Sequence, residues 1–246
     1  MKDLYGLIGY RLSHSFSRKY FSDKFQREHI SNAEYGLFEL EDIQELPELL
    51  EEQPEIRGLN VTIPYKQQVM RYLDELDGSA KKVGAVNTIK FLKGKRIGYN
   101  TDYYGFKESL EKWVEGAKIE KALILGTGGA SRAVKCALYD MGIEYIMVSR
   151  EASEHAVSYA ELKEKYDLQD YPLIINTTPL GMSPHTEVCP DLSYEKLSAS
   201  HLCYDLVYNP EETLFMKKAA EQGAAVKNGM EMLHLQAEKS WEIWNQ

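Results

Sequence analysis

Cysteine is scarce in this chain of 246 residues: only Cys136, Cys189 and Cys203 are present, far apart. An odd, scattered set excludes a disulfide framework and points to a reducing compartment. None pairs with histidine at zinc spacing, and the six histidines form neither His-x-His nor His-Glu-x-x-His, so no bound metal is expected. Positive charge is also thin. The formal net charge is −9 and the pI about 5.3. Without a basic tract or an Arg-rich helix, a nucleic-acid or anionic-membrane surface is excluded. No apolar run approaches a membrane span, and the opening Met1-Lys-Asp-Leu-Tyr-Gly lacks the apolar stretch of a signal peptide. A soluble cytoplasmic protein is the expectation. Hydrophobic residues make up 43% and charged residues 27%, the balance of a folded chain. The length fits two modest lobes better than one core.

The residues that are present alternate between strand and helix patterns. Leu4–Gly9, Tyr35–Glu39 and Gly58–Ile63 read as strands. Between them, a helix to about Glu28 can be capped by Ser15 or Ser17, and Asp42–Leu50 is amphipathic. Lys66–Leu76 reads as helical, and Ala85–Leu92 with Arg96–Tyr99 as a hairpin around Lys93-Gly94-Lys95. Thr101 or Asp102 can cap a helix toward Trp113. A second lobe follows, with strands at Ala122–Leu125, Tyr145–Val148, Leu173–Asn176, Leu202–Asp205 and Ala224–Lys227, and helices to Met141 and over Thr213–Gln222. This alternation predicts a parallel sheet covered on both faces. The last helix, Met230–Trp244, carries Met230, Leu233, Ala237, Trp241 and Trp244 at helical spacing, a core stripe.

Gly58-Leu-Asn-Val-Thr-Ile-Pro-Tyr-Lys66 is the most informative stretch. Leu59, Val61 and Ile63 alternate with polar residues, and Pro64 stops the strand. Asn60, Thr62 and Lys66 are thereby set at or near a strand end. A lysine there can serve as proton acceptor near neutral pH if desolvation lowers its pKa. The alternative is a surface lysine opening a helix.

The second informative stretch is Gly126-x-Gly128-x-x-Ser131 between a strand and a helix. Gly126 permits the tight turn, Gly128 lets backbone approach a pyrophosphate, and the helix N-terminus offers N–H groups and a positive dipole. Ser131 takes the place of a third glycine and is small enough to keep helix and strand close. Where dinucleotide binders select NAD or NADP, at the end of the second strand, Val148 is followed by Ser149-Arg150. Arg150 favours a 2′-phosphate and hence NADP, while Glu151 and Glu154 oppose it.

Further groups then fall into one pattern: Gly9-Tyr-Arg-Leu-Ser-His14-Ser15-Phe-Ser17; Gly84-Ala-Val-Asn87-Thr88; Gly98-Tyr-Asn100-Thr101-Asp102-Tyr-Tyr-Gly105; Asp205-Leu-Val-Tyr208-Asn-Pro210; and Gly229-Met-Glu-Met232-Leu-His-Leu-Gln236-Ala237. With Asn60-Val-Thr62-x-Pro-x-Lys66 and the glycine run, the chain resembles the shikimate dehydrogenases along its whole length. The resemblance implies an α/β protein: an N-terminal substrate and catalytic lobe (1–102), a Rossmann-like doubly wound NADP lobe (103–229), and a C-terminal helix (230–246) packing back toward the first lobe. It implies that Ser15 and Ser17 hold the substrate carboxylate, that Tyr208 reaches it, and that Asn60, Thr62, Asn87, Asp102 and Gln236 ring the hydroxyls. Lys66 is then the catalytic lysine with Asp102 its partner. Gly126, Gly128, Gly129, Ala130, Ser149 and Arg150 bind the dinucleotide, and Thr177, Val207, Gly229 and Met232 lie along its nicotinamide half.

The implied reaction is reversible reduction of 3-dehydroshikimate to shikimate with NADP, in the chorismate route to aromatic amino acids. Removing a hydride and a proton from a secondary alcohol calls for a base at hydrogen-bond distance, which Lys66 can supply; Asp102 raises its pKa while burial lowers it. Arg11, Arg18 and Thr127 depart from the family pattern, and no second basic residue follows Arg150. Glu151 keeps open a quinate/shikimate dehydrogenase using NAD. A non-catalytic dinucleotide-binding regulator would be expected to lose Lys66 or Asp102, and a methylenetetrahydrofolate-dehydrogenase-like enzyme does not suit Ser15-x-Ser17 or Asn100-Thr-Asp102. His14 reads as structural, Tyr208 equally as a packed aromatic, and Asp102 alone as a helix cap. A monomer or a homodimer is expected, with small-molecule partners only.

Overall fold

The computed structural model describes residues 2–12 and 15–246, and His14 lies outside them. The chain divides into two compact units, 1–101 with 237–246, and 102–236. Among the described residues, no helix is long and apolar enough to cross a membrane.

The first unit is built on a six-stranded sheet. Its elements are β1 (Asp3–Gly9), α1 (Phe16–Arg27), β2 (Ala33–Glu39), α2 (Leu46–Glu52), β3 (Ile56–Val61), β4 (Glu75–Leu76), α3 (Gly78–Val83), β5 (Thr88–Leu92) and β6 (Lys95–Tyr99). The order is β2-β1-β3-β5-β6-β4. β1 runs parallel to both neighbours, and β5 pairs antiparallel with β3 and β6. Alternate residues of β1 enter opposite cores: Leu4 and Ile8 join Leu59, Val61 and Ile89, whereas Tyr5 and Leu7 join Phe21, Phe25 and Trp244.

The final helix, α8 (Met230–Asn245), begins in the second unit and ends in the first. Trp244 stacks on Tyr5 with ring centroids 4.9 Å apart and donates its indole N–H to the Ile89 carbonyl at 2.9 Å. It lies so close to β3 that a side-chain carbon at Gly58 would stand 2.3 Å from the indole ring.

The second unit contains α4 (Thr101–Trp113), β7 (Lys121–Leu125), α5 (Gly129–Asp140), β8 (Glu144–Ser149), β9 (Val157–Ser158), α6 (Tyr159–Lys165), β10 (Leu173–Asn176), β11 (Leu202–Asp205), α7 (Leu214–Glu221) and β12 (Ala225–Lys227). All pairings in its sheet are parallel, in the order β12-β11-β10-β7-β8-β9. Along β7, Ala122 and Ile124 face the core built with α4 and α5, while Leu123 and Leu125 face the core built with α6 and α7. Helices on both faces make the sheet doubly wound. The chain leaves β7 outward to β8 and β9, then returns to β10 on the other side, so the switch point lies between β7 and β10.

Some local readings change. β3 stops at Val61, and Ile63 is 75% exposed. Lys66–Leu76 is not a helix: a short 3₁₀ segment covers Gln68–Tyr72, and the chain then extends into β4 beside β6. Asp74 draws it there by accepting from the Arg96 backbone N–H at 2.7 Å and its Nε at 3.0 Å. Asp42 caps a 3₁₀ turn over Ile43–Glu45 before α2. α3, capped by Asp77, and the β9–α6 pair are elements the sequence reading did not anticipate.

Candidate active site

Asn60 and Asn87 come together at the centre of the first unit. Asn60, 6% exposed, donates its amide to Ser240 Oγ at 2.9 Å, Thr88 Oγ1 at 3.2 Å and the Asn87 carbonyl at 3.3 Å. Its Oδ1 accepts from the Tyr35 hydroxyl at 2.8 Å. Asn87 Oδ1 accepts the backbone N–H of Thr101 at 2.6 Å, satisfying a free donor at the start of α4, and its amide donates to Thr101 Oγ1 at 2.9 Å. Ser240 Oγ also meets Thr88 Oγ1 at 2.8 Å and Thr101 Oγ1 at 3.2 Å. β3, β5, α4 and α8 are thus pinned by one uncharged network in which every group can be satisfied. Burial holds the Tyr35 phenol well above its ordinary range.

Ser15 stands at the N-cap position of α1, yet its side chain makes no capping bond. Its Oγ is buried and has no partner among the described residues. An unpaired buried hydroxyl costs roughly 1–3 kcal/mol, which an incoming acceptor would relieve. Thr62 and Lys66 are half-buried. The Thr62 N–H bonds the Ile8 carbonyl at 2.9 Å, and the Lys66 carbonyl accepts the Val86 N–H at 2.7 Å, one residue before Asn87. The lysine backbone is therefore fixed to the same strand junction. Asp102 lies in the first turn of α4, inside the helix rather than at its cap, where a carboxylate is favoured by the dipole.

In the second unit, Gly126 follows β7 with φ +106°, a conformation that favours glycine, and a side-chain carbon there would meet Thr178 Cγ2 at 2.8 Å and Thr177 Oγ1 at 2.9 Å. The turn is pressed against the β10 loop at the switch point. Gly128 and Gly129 are the opposite case: a side-chain carbon on either would meet nothing within 4 Å. Gly128 puts no side-chain cap on α5, so the helix start stays open to an anion. Ser131 is 1% exposed and bonds the Gly128 carbonyl at 2.7 Å, closing the helix on the sheet. Ala130 is exposed beside it.

Ser149 ends β8 and turns its hydroxyl to the Glu151 carbonyl. Arg150 is exposed and forms no ion pair with a described residue, Glu151 and Glu154 included. These residues fit a dinucleotide: open backbone for a pyrophosphate, and a guanidinium available for a 2′-phosphate.

Thr177 Oγ1 donates to the Leu125 carbonyl at 2.8 Å, and the Gly229 N–H to the Val207 carbonyl at 3.1 Å. Gly229 permits a close approach, since a side-chain carbon would fall 2.2 Å from the Leu206 oxygen. Met232 packs against the core shared by α4 and α5. Tyr208 is half-buried, and desolvation raises its phenol. The Gln236 amide donates to the Leu233 carbonyl at 2.8 Å. The sequence reading assigned no role to Tyr35, Ser240 or Asp205, although Asp205 opens one of the groups that carry the resemblance. Asp205 is fully buried and pushed up to about 6 by desolvation, against three hydrogen-bond donors that lower it. A carboxylate closing an apolar strand was the available signal; nothing marked Ser240.

A glycine turn at the switch point of a doubly wound parallel sheet, coupled in one chain to a smaller mixed α/β unit, defines a two-domain dinucleotide-binding protein. A family model described as the shikimate dehydrogenase substrate binding domain matches residues 7–89. A shikimate dehydrogenase (NADP(+)) from Clostridium beijerinckii is 41% identical, covering 99% of this chain and 92% of that one. One from Methanococcus aeolicus is 38% identical over 98% of this chain and 91% of that one. The crystal structure of a shikimate 5-dehydrogenase from Thermus thermophilus in complex with NADP(H) and shikimate superimposes with a TM-score of 0.85 at 28% identity, covering 99% and 93% of the two chains. The chain belongs to the shikimate dehydrogenase family.

Proposed function

We infer that this chain is an NADP-dependent shikimate dehydrogenase that reversibly reduces 3-dehydroshikimate to shikimate, a step toward chorismate and the aromatic amino acids. The observation that carries the reading is identity of 38–41% over nearly the whole chain with enzymes of that name. The ordered presence of Asn60, Thr62, Lys66, Asn87 and Asp102 supports it. The cytoplasm is the proposed site of action.

In this account Lys66 takes the proton from the reacting hydroxyl during oxidation and returns it during reduction, and Asp102 orients the ammonium. Ser15 and Ser17 bind the substrate carboxylate; the unpaired Ser15 hydroxyl supports that role. Asn60 and Asn87 are held by the buried network, which leaves few free hydrogen-bonding positions on either, so each presents a defined edge to the substrate hydroxyls. Thr62, Gln236 and Tyr208 complete the substrate contacts. When bound, the nicotinamide accepts or supplies the hydride. Gly126, Gly128, Gly129 and Ala130 receive the pyrophosphate, Ser149 and Arg150 the adenosine end, and Thr177, Val207, Gly229 and Met232 the nicotinamide half. Incubation with 3-dehydroshikimate and NADPH should yield shikimate in proportion to NADPH consumed, identified by chromatography. NADPH consumption without shikimate, or no consumption, rejects the reading.

A further inference from the structure

One ionisable group in the second unit has no part in this chemistry. Asp205 ends β11 and is fully buried. Its carboxylate accepts three hydrogen bonds, each from a different segment. Oδ1 takes the Asn176 side-chain amide at 2.9 Å and the Val207 N–H at 3.0 Å, and Oδ2 takes the Thr213 hydroxyl at 2.6 Å.

Each donor passes the constraint onward. Asn176 Oδ1 accepts the Thr178 N–H at 3.0 Å and its hydroxyl at 2.6 Å. Thr178, with Thr177, is what the turn at Gly126 presses against. The Val207 carbonyl accepts the Gly229 N–H at 3.1 Å. Thr213 caps α7 by accepting the Met216 N–H at 3.3 Å.

We propose that Asp205 is a positioning residue that sets the nicotinamide half of the dinucleotide site by fixing the loops after β10 and β11 together. The proposal rests on the reading that Thr177, Val207 and Gly229 flank that half. An ionised carboxylate only accepts. Asn176 must therefore turn its NH₂ inward, which leaves its carbonyl for Thr178. The Val207 N–H is likewise held inward, and the carbonyl of the same residue accepts the Gly229 N–H. One acceptor thus sets the direction of both loops, which a side chain able to donate as well as accept would leave open. Ser149 and Arg150, at the end of β8, make no bond to this array among the described residues, so the adenosine end is held separately.

The test compares two ligands on the unaltered protein, Asp205→Asn and Asp205→Ala. NADPH binding is followed through the fluorescence of its reduced ring. The second ligand is adenosine 2′,5′-bisphosphate, which has the adenine half with its 2′-phosphate and lacks both the nicotinamide and its ribose. Asp205→Asn should weaken NADPH by about tenfold and Asp205→Ala by more. Neither should change adenosine 2′,5′-bisphosphate affinity by more than about twofold. In turnover, KM for NADP⁺ should rise while KM for shikimate stays. Equal weakening of both ligands would make Asp205 a general support of the lobe and overturn the proposal, as would unchanged NADPH affinity. Should Asp205→Ala fail to fold, Asp205→Asn decides. A protein that binds NADPH but cannot oxidise shikimate would overturn the activity reading, and the ligand comparison would still decide Asp205.

Discussion

The two units organise their buried polar centres in opposite ways. In the first, Asn60, Thr88, Thr101 and Ser240 form a neutral cluster whose members donate and accept in turn. In the second, a single carboxylate, Asp205, collects donors from three segments. A neutral cluster locks strands and helices together without placing a fixed charge among them. That suits a unit whose proposed working group, Lys66, must change charge during turnover. A buried anion costs solvation energy but dictates the direction of every donor around it. That suits loops that must hold a flat ring in one orientation.

Lys66→Ala should break the first half of this comparison most severely. General base catalysis is typically worth about 10²–10⁴-fold, so kcat should fall by at least about 100-fold while the shikimate dissociation constant moves only a few-fold. A kcat within about tenfold of the parent would remove the lysine from proton transfer.

The serines come next. Ser15→Ala with Ser17→Ala should raise KM for shikimate by at least about tenfold, since each hydrogen bond to a carboxylate contributes roughly 1.5–3 kcal/mol. The change should exceed any loss in kcat. An unchanged KM would mean that the unpaired Ser15 hydroxyl has no ligand to meet.

The two polar centres should also differ in their response to pH. Burial pushes the Asp205 carboxyl up to about 6, from an ordinary value of 3.8. The folded state therefore holds this proton more tightly than the unfolded chain does, and stability declines as pH rises through that interval. Relative to Asp205→Asn, the parent should lose up to about 3 kcal/mol between roughly pH 4 and pH 7. Ser240→Ala removes the hydroxyl that meets Asn60, Thr88 and Thr101 and should cost about 1–3 kcal/mol at either pH. Urea denaturation of all three proteins measures both effects. A pH-independent gap for Asp205→Asn would show that the carboxyl is not perturbed.

The smallest expected effect belongs to Arg150. Arg150→Ala should cut kcat/KM for NADP⁺ by about tenfold, or about 1.4 kcal/mol, and leave NAD⁺ kinetics nearly unchanged. Equal losses with both cofactors would assign the guanidinium to adenine stacking alone.

Much of this was legible in the residues. The strand–glycine–helix pattern at Leu125–Ser131 and the regular spacing of apolar strands point to a doubly wound sheet, because parallel strands buried on both faces must be continuously apolar. What escaped was tertiary. Lys66–Leu76 has helical content by pattern, yet the Asp74–Arg96 pairing pulls its end into a strand beside β6. Asn87 was marked for substrate alone, but its side chain also caps α4, a bond between groups fourteen residues apart that no local pattern announces. Ser240 lies on a helix more than a hundred residues beyond the Thr88 and Thr101 hydroxyls it meets. Ser15 carried two readings, cap and ligand, and its side chain makes no capping bond.

The most direct test is the initial rate of reduced-cofactor formation by the unaltered protein, with shikimate and quinate each crossed against NADP⁺ and NAD⁺. The account predicts that shikimate with NADP⁺ is the best pair and that kcat/KM favours NADP⁺ over NAD⁺ by at least about tenfold, the return on one charge-assisted contact to the 2′-phosphate. A preference for NAD⁺, or for quinate over shikimate, would contradict it.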